Sequence, residues 1–129
     1  MAIHFFNEES SYKLKHKSAL KQWLKAVAAA EGFKIGELNY ILCNDDYLHQ
    51  INVDYLQHDT YTDIITFDHS EKKEVIAGDI FLSTDRVIEN ASIFKVHVFD
   101  ELSRVLVHGA LHLMGYTDKS KVKKTEMTA

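Results

Sequence analysis

The sequence predicts a single α+β domain over residues 1–129, one mixed four-stranded sheet with about five helices packed on it. Short runs rich in Ile, Val, Thr and aromatic residues recur along the chain, and segments of helical periodicity separate them, so strands and helices intermix. At 129 residues the chain is long enough for one real core and too short for two. Hydrophobic residues make up 46% and charged residues 26%, the balance of a soluble globular protein and not of a disordered one. No repeat, low-complexity tract or interdomain linker interrupts the chain.

There is no proline, so Gly, Asn, Asp and Ser must make the turns. Residues 3–6 read as a short first strand. A helix follows, opened by Ser10 or Ser11 and closed by Gly32, with Leu20, Trp23, Leu24, Val27 and Ala28 at helical spacing on one face. On this pattern Trp23 belongs to the core. Residues 38–43 form a second strand, after which Asn44 caps a helix from Asp45 to about Leu56 whose Leu48, Ile51 and Tyr55 point inward. Residues 63–67 suit a third strand and residues 75–83 a fourth, joined by the charged turn His69-Ser-Glu-Lys-Lys-Glu74. Thr84 caps a further helix to about Phe94, and a long helix runs from near Asp100 to Met114.

Composition narrows the function. The N-terminus lacks a basic stretch followed by a long apolar one, and no apolar run approaches membrane-spanning length, so neither secretion nor a membrane partner is expected. Cys43 stands alone in an apolar run, which predicts a buried thiol and a cytoplasmic protein. A formal net charge of -4 argues against unspecific coating of nucleic acid. Lysines nevertheless crowd at 13, 15, 17, 21 and 25, and again at 119, 121, 123 and 124, where they could attract a polyanion.

The chemistry concentrates in His108-Gly-Ala-Leu-His112-Leu-Met-Gly115-Tyr-Thr-Asp118. Imidazoles at i and i+4 project from one helical face at a separation a single metal ion bridges. Gly115 takes the left-handed backbone that stops the helix, and Asp118 then brings a carboxylate to a third vertex. The fourth vertex stays open for water, as a catalytic zinc site requires. With eight histidines in 129 residues the pair alone arises by chance about half the time. The added Gly and Asp at fixed offsets make the pattern specific. The metal site is therefore expected at the end of the last long helix, holding one Zn2+ on His108, His112 and Asp118. Glu101, Arg104, His108 and His112 share one stripe of that helix, expected to floor a cleft, and Arg104 is a candidate for holding the scissile phosphate or for a salt bridge to Glu101 or a neighbouring loop.

The spacing is also that of the metzincin peptidases, which carry Glu directly after the first histidine as general base. Here that position is Gly109, which cannot take a proton. Residues 108–118 resemble instead the H-G-x-L-H-L-x-G-Y-D-H signature of the YbeY family of rRNA maturation factors. Asn52-Val-Asp-Tyr55-Leu-Gln-His-Asp59-Thr-Tyr-Thr62-Asp63-Ile-Ile-Thr-Phe67 resembles its N-x-x-Y-R-x-K-D-x-P-T-[ND]-V-L-S-F block, and Gly78-Asp79-Ile80 its G-D-I strand. The resemblance implies a zinc-dependent, single-strand-specific endoribonuclease acting in maturation of the small-subunit rRNA 3′ end and in ribosome quality control. It implies single-stranded or ribosomal RNA, the small subunit and its proteins as partners, and not DNA.

The chain departs from that pattern where the third histidine falls on Asp118, the arginine on Leu56, the lysine on His58 and the proline on Tyr61. A carboxylate ligates zinc but makes it a weaker Lewis acid, and leucine cannot hold a phosphate. A non-catalytic biogenesis factor with a structural metal, or a metallopeptidase, are the alternative readings. Asp63 and Asp79 match family positions, either as acceptors behind a ligand histidine or as strand-end hydrogen-bond partners. His4, His16, His49, His58, His69 and His97 lack ligand spacing, and Tyr116 is expected to pack below the metal.

Overall fold

The computed structural model describes residues 2–10, 12–56 (backbone alone at 56) and 64–115. These form β1 (Ala2–Glu8), α1 (Lys17–Ala30), β2 (Lys34–Cys43), α2 (Asp45–Leu56), β3 (Ile64–Asp68), β4 (Val75–Ser83), α3 (Thr84–Phe94) and α4 (Val98–Leu113). The described residues thus hold four of the about five helices expected. The strand order is β1-β2-β4-β3. β1, β2 and β4 run parallel, and β3 returns antiparallel to β4 as an edge strand, so the sheet is mixed as the order of elements predicted.

Alternation along the strands divides the sheet between two cores. Ile3, Leu38, Tyr40, Leu42, Ile64, Ile76, Ile80 and Leu82 face α1, α3 and α4, meeting Leu20, Leu24, Val87, Leu102, Val105 and Leu106. Cys43 and Ile65 face the other way, with Phe67 and Phe81 beside them, and α2 covers them with Leu48 and Ile51. A row of cross-strand partners, Phe5, Tyr40, Ile80 and Thr66, ties all four strands in register beneath α4.

Several expectations shift. α1 begins at Lys17 rather than at Ser10 or Ser11, because the Ser10 hydroxyl is engaged with Thr84 Oγ1 at 2.8 Å and His16 takes a left-handed φ of 59° that blocks an upstream turn; Ser11 lies outside the described residues. β2 starts at Lys34, the extra residues being hidden in sequence by Gly36 and an irregular register between Ile35 and Leu38. α3 is capped by Ser83, whose hydroxyl accepts from the Arg86 N–H at 3.2 Å, with Thr84 as the first helical residue. Asn44 caps α2 as expected, accepting from the Tyr47 N–H at 2.8 Å.

Two aromatic residues leave the core assigned to them. Trp23 is 40% exposed, because α1 buries the Leu20, Leu24, Ala28 line and position 23 lies about 100° round the helix from Leu24. Tyr55, on the last turn of α2, is 70% exposed and reaches only the edge of the Phe67 ring, with centroids 5.9 Å apart, while Asn52 takes the buried position beside Leu48.

Candidate functional site

α4 starts one turn before its charged stripe: His97 is its N-cap, and Asp100 and Glu101 occupy its first turn, where carboxylates complement the helix dipole. Glu101, Leu102, Val105, Leu106, Gly109, Ala110 and Leu113 are buried, while His108 and His112 are partly exposed and Arg104 is exposed. Met114 and Gly115 close the helix with N–H bonds back to Ala110, Leu111 and His112, and Gly115 has the positive φ, 107°, that the motif required.

Two contacts hold this helix on the sheet. The fully buried Tyr40 donates its hydroxyl to the Leu106 carbonyl at 2.8 Å, two residues before His108. Gly109 lies directly over Ile80: a Cβ at 109 would stand 2.7 Å from Ile80 Cγ2 and 3.1 Å from its Cδ1. Position 109 therefore faces the sheet and not the histidine flank. The missing glutamate base is a packing requirement as much as a chemical difference, since any side chain at 109 would run into Ile80.

His108 and His112 are half-buried and meet through their Nε2 atoms at 2.9 Å, with ring centroids 4.6 Å apart and planes at 72°. Two nitrogens on one tetrahedral zinc at about 2.0–2.1 Å would stand about 3.3 Å apart, so a few tenths of an ångström of ring rotation converts the observed pair into two zinc ligands. The donors present fit the metal. Among the described residues no group of three or more His, Cys, Asp or Glu side chains converges to hold an ion. The third expected ligand, Asp118, lies outside the described residues, as do His58, Tyr61, Asp63, Tyr116 and the lysines after 118.

Glu101 is 2% exposed and grips Arg104 twice, from Nε to Oε1 at 3.0 Å and from Nη2 to Oε2 at 2.7 Å. Of the two roles weighed for Arg104, the structure thus contains the salt bridge. The depth of Glu101 was missed in the sequence, although its i, i+3 spacing to Arg104 was the available signal. Asp79 is not behind a histidine of α4. Its neighbour Ile80 faces that helix, so Asp79 points to the opposite face, where it accepts from Asn39 Nδ2 at 3.0 Å and meets His69 Nε2 at 3.2 Å.

A mixed sheet under a helix that ends in paired imidazoles, closed by a left-handed glycine, defines a compact α+β domain with a metal-competent histidine pair. Residues 3–129 match the family described as "Endoribonuclease YbeY". The chain is 53% identical over 127 residues to the Endoribonuclease YbeY of Cytophaga hutchinsonii, covering 98% of this chain and 89% of that one. It is 53% identical over 115 residues to that of Flavobacterium johnsoniae, covering 89% and 82% respectively. Among solved structures it resembles the solution structure of TM1509 from Thermotoga maritima, with a TM-score of 0.60 and 27% identity over 98% of this chain and 85% of that one. The chain belongs to the YbeY endoribonuclease family.

Proposed function

We propose that this chain is a zinc-dependent, single-strand-specific endoribonuclease that acts in maturation of the 3′ end of small-subunit rRNA and in ribosome quality control, in the cytoplasm. Family membership supports the class of reaction, and the observation that carries the site is the 2.9 Å approach of the two Nε2 atoms at the end of α4. His108, His112 and, beyond the described residues, Asp118 would hold the ion. Bound zinc lowers the pKa of a water and polarises a phosphoryl oxygen, the two needs of phosphodiester hydrolysis. The chain's own part is to keep both imidazoles on one rigid flank. Tyr40 pins the helix at Leu106 and the Gly109–Ile80 contact sets its height over the sheet, so the ring nitrogens stay aimed at one point. Position 109, where the metzincin peptidases carry their general base, is a glycine packed on Ile80 and takes no proton.

The test is elemental analysis of the purified protein and of His112→Ala and Asp118→Ala variants, each assayed on a single-stranded oligoribonucleotide. The proposal expects one zinc per chain and RNA cleavage in the wild type, with both lost in the variants. Equal zinc in wild type and Asp118→Ala removes that residue from the ligand set. Leucine at position 56, where the family pattern has arginine, favours a second reading as a non-catalytic biogenesis factor. Full zinc together with RNA binding and intact RNA would establish it.

A further inference from the structure

Glu101 and Arg104 are the charged pair of α4 that the histidine chemistry leaves unused. A carboxylate buried as deeply as Glu101 is no economical source of stability, because an apolar residue of similar volume serves a core at least as well. What it achieves is orientation. Both oxygens engage the guanidinium, while the Arg104 side chain remains 50% exposed, so a buried anchor presents a fixed cation at the surface.

Its place on the helix says which part of a substrate it meets. Around the axis Glu101 lies within about 20° of both His108 and His112, and Arg104 within about 40° of His108, so all four share one stripe. Along the axis the i, i+3 grip draws the guanidinium back towards residue 101, about 10 Å in helical rise from His108. No single phosphate group spans that distance. Held back in this way, the guanidinium lies nearer to a phosphate further along the same strand than to the scissile one at the imidazole pair.

We propose that Arg104, with Glu101 as its positioning residue, binds a neighbouring phosphate of single-stranded RNA and so sets the register in which the strand crosses the histidine pair. The inference rests on the endoribonuclease reading. A guanidinium already locked by a bidentate carboxylate loses little further freedom on meeting an anion, and its planar fork matches phosphate oxygens. A contact of this kind acts on strand affinity more than on the chemical step.

The experiment uses the zinc-loaded full chain, a fluorescent single-stranded oligoribonucleotide and a dinucleotide whose only phosphate is the scissile one. Arg104→Ala should raise KM for the oligonucleotide about tenfold, with the larger part of the loss in KM rather than kcat. It should also flatten the dependence of log affinity on log salt by about 0.7, one phosphate contact on a single strand. Arg104→Lys should keep the salt slope without restoring KM, and Glu101→Gln, which leaves the arginine charged but loosely held, should do the same. Cleavage of the dinucleotide should be insensitive to Arg104→Ala. If the variants lose thermal stability while KM and salt slope stay at wild-type values, the pair is a structural salt bridge and the proposal falls. It also falls if Arg104→Ala slows the dinucleotide and the oligonucleotide equally, since the arginine then acts at the scissile phosphate. A wild type that cleaves no RNA refutes the nuclease reading separately, because anisotropy of the bound oligonucleotide still reads the Arg104 contact. A wild type that neither binds nor cleaves removes both.

Discussion

Placing a methyl group at Gly109 tests how α4 is seated. In a helix interior Gly→Ala is worth about 0.8–1 kcal/mol of stabilisation from backbone propensity alone. Here the new Cβ would stand 2.7 Å from Ile80 Cγ2, a branch fixed at Cβ, and 3.1 Å from the more mobile Cδ1. Relief requires an Ile80 χ1 change or a lift of α4 off the sheet, an overpacking cost of about 1–3 kcal/mol. Gly109→Ala should therefore be net destabilising by about 1 kcal/mol, or roughly 3–5 °C in Tm. In an Ile80→Ala background, itself about 2–5 kcal/mol less stable, the obstruction is gone and the same methyl should stabilise by about 1 kcal/mol. Urea unfolding of the four proteins closes a double-mutant cycle with an expected coupling near ~2 kcal/mol. Gly109→Ala that stabilises the wild-type background as much as the Ile80→Ala background would refute the seating, and with it the explanation for the absent glutamate. Gly109→Glu should unfold the domain rather than install a base.

Tyr40→Phe removes the hydroxyl bond to Leu106 and should cost about 1 kcal/mol in urea unfolding, with reduced hydrogen-exchange protection in the Leu106 turn of α4; unchanged protection would show that the bond does not hold the helix. Asp45 accepts from Ser83 Oγ at 2.6 Å and from Arg86 Nε at 3.1 Å, so Asp45→Ala should destabilise by about 2 kcal/mol, and an Arg86→Ala, Asp45→Ala pair whose effects simply add would deny the coupling. Burial first, then the charges of Asp45, Asp85 and Glu8, push the Cys43 thiol from 9.0 up to about 12. Between these values the unfolded thiol has lost its proton and the folded one keeps it, so stability should fall as pH rises from 9 towards 12, with Cys43 contributing at most about 1.4 kcal/mol per pH unit. Cys43→Ala should flatten that decline, leaving the similarly directed contribution of buried Tyr40, and a wild-type curve parallel to the variant's would contradict it.

Much of the site was legible because its determinants are local. The i, i+4 histidines, the glycine that ends their helix and the Asn44 cap each depend on residues within about four positions, where helical geometry alone decides who meets whom. The order of strands and helices followed likewise from periodicity. Helix starts were less secure: Ser10 has the chemistry of a cap, yet its hydroxyl meets Thr84, a residue 74 positions away in the chain. Trp23 and Tyr55 show the same limit for burial, since a periodic face says which residues align but not how far the partner surface extends beneath them.

The sequence by itself determined an α+β domain, its family and two imidazoles on one helical flank, because periodicity, caps and short motifs are properties of neighbouring residues. Only the tertiary structure decided that Gly109 lies against Ile80, that Asp79 turns to the opposite face of the sheet from α4, and that Glu101 is buried beneath the arginine it holds. Those outcomes depend on which side of a strand a helix covers and how closely two backbones approach, and packing between residues far apart in the chain sets both.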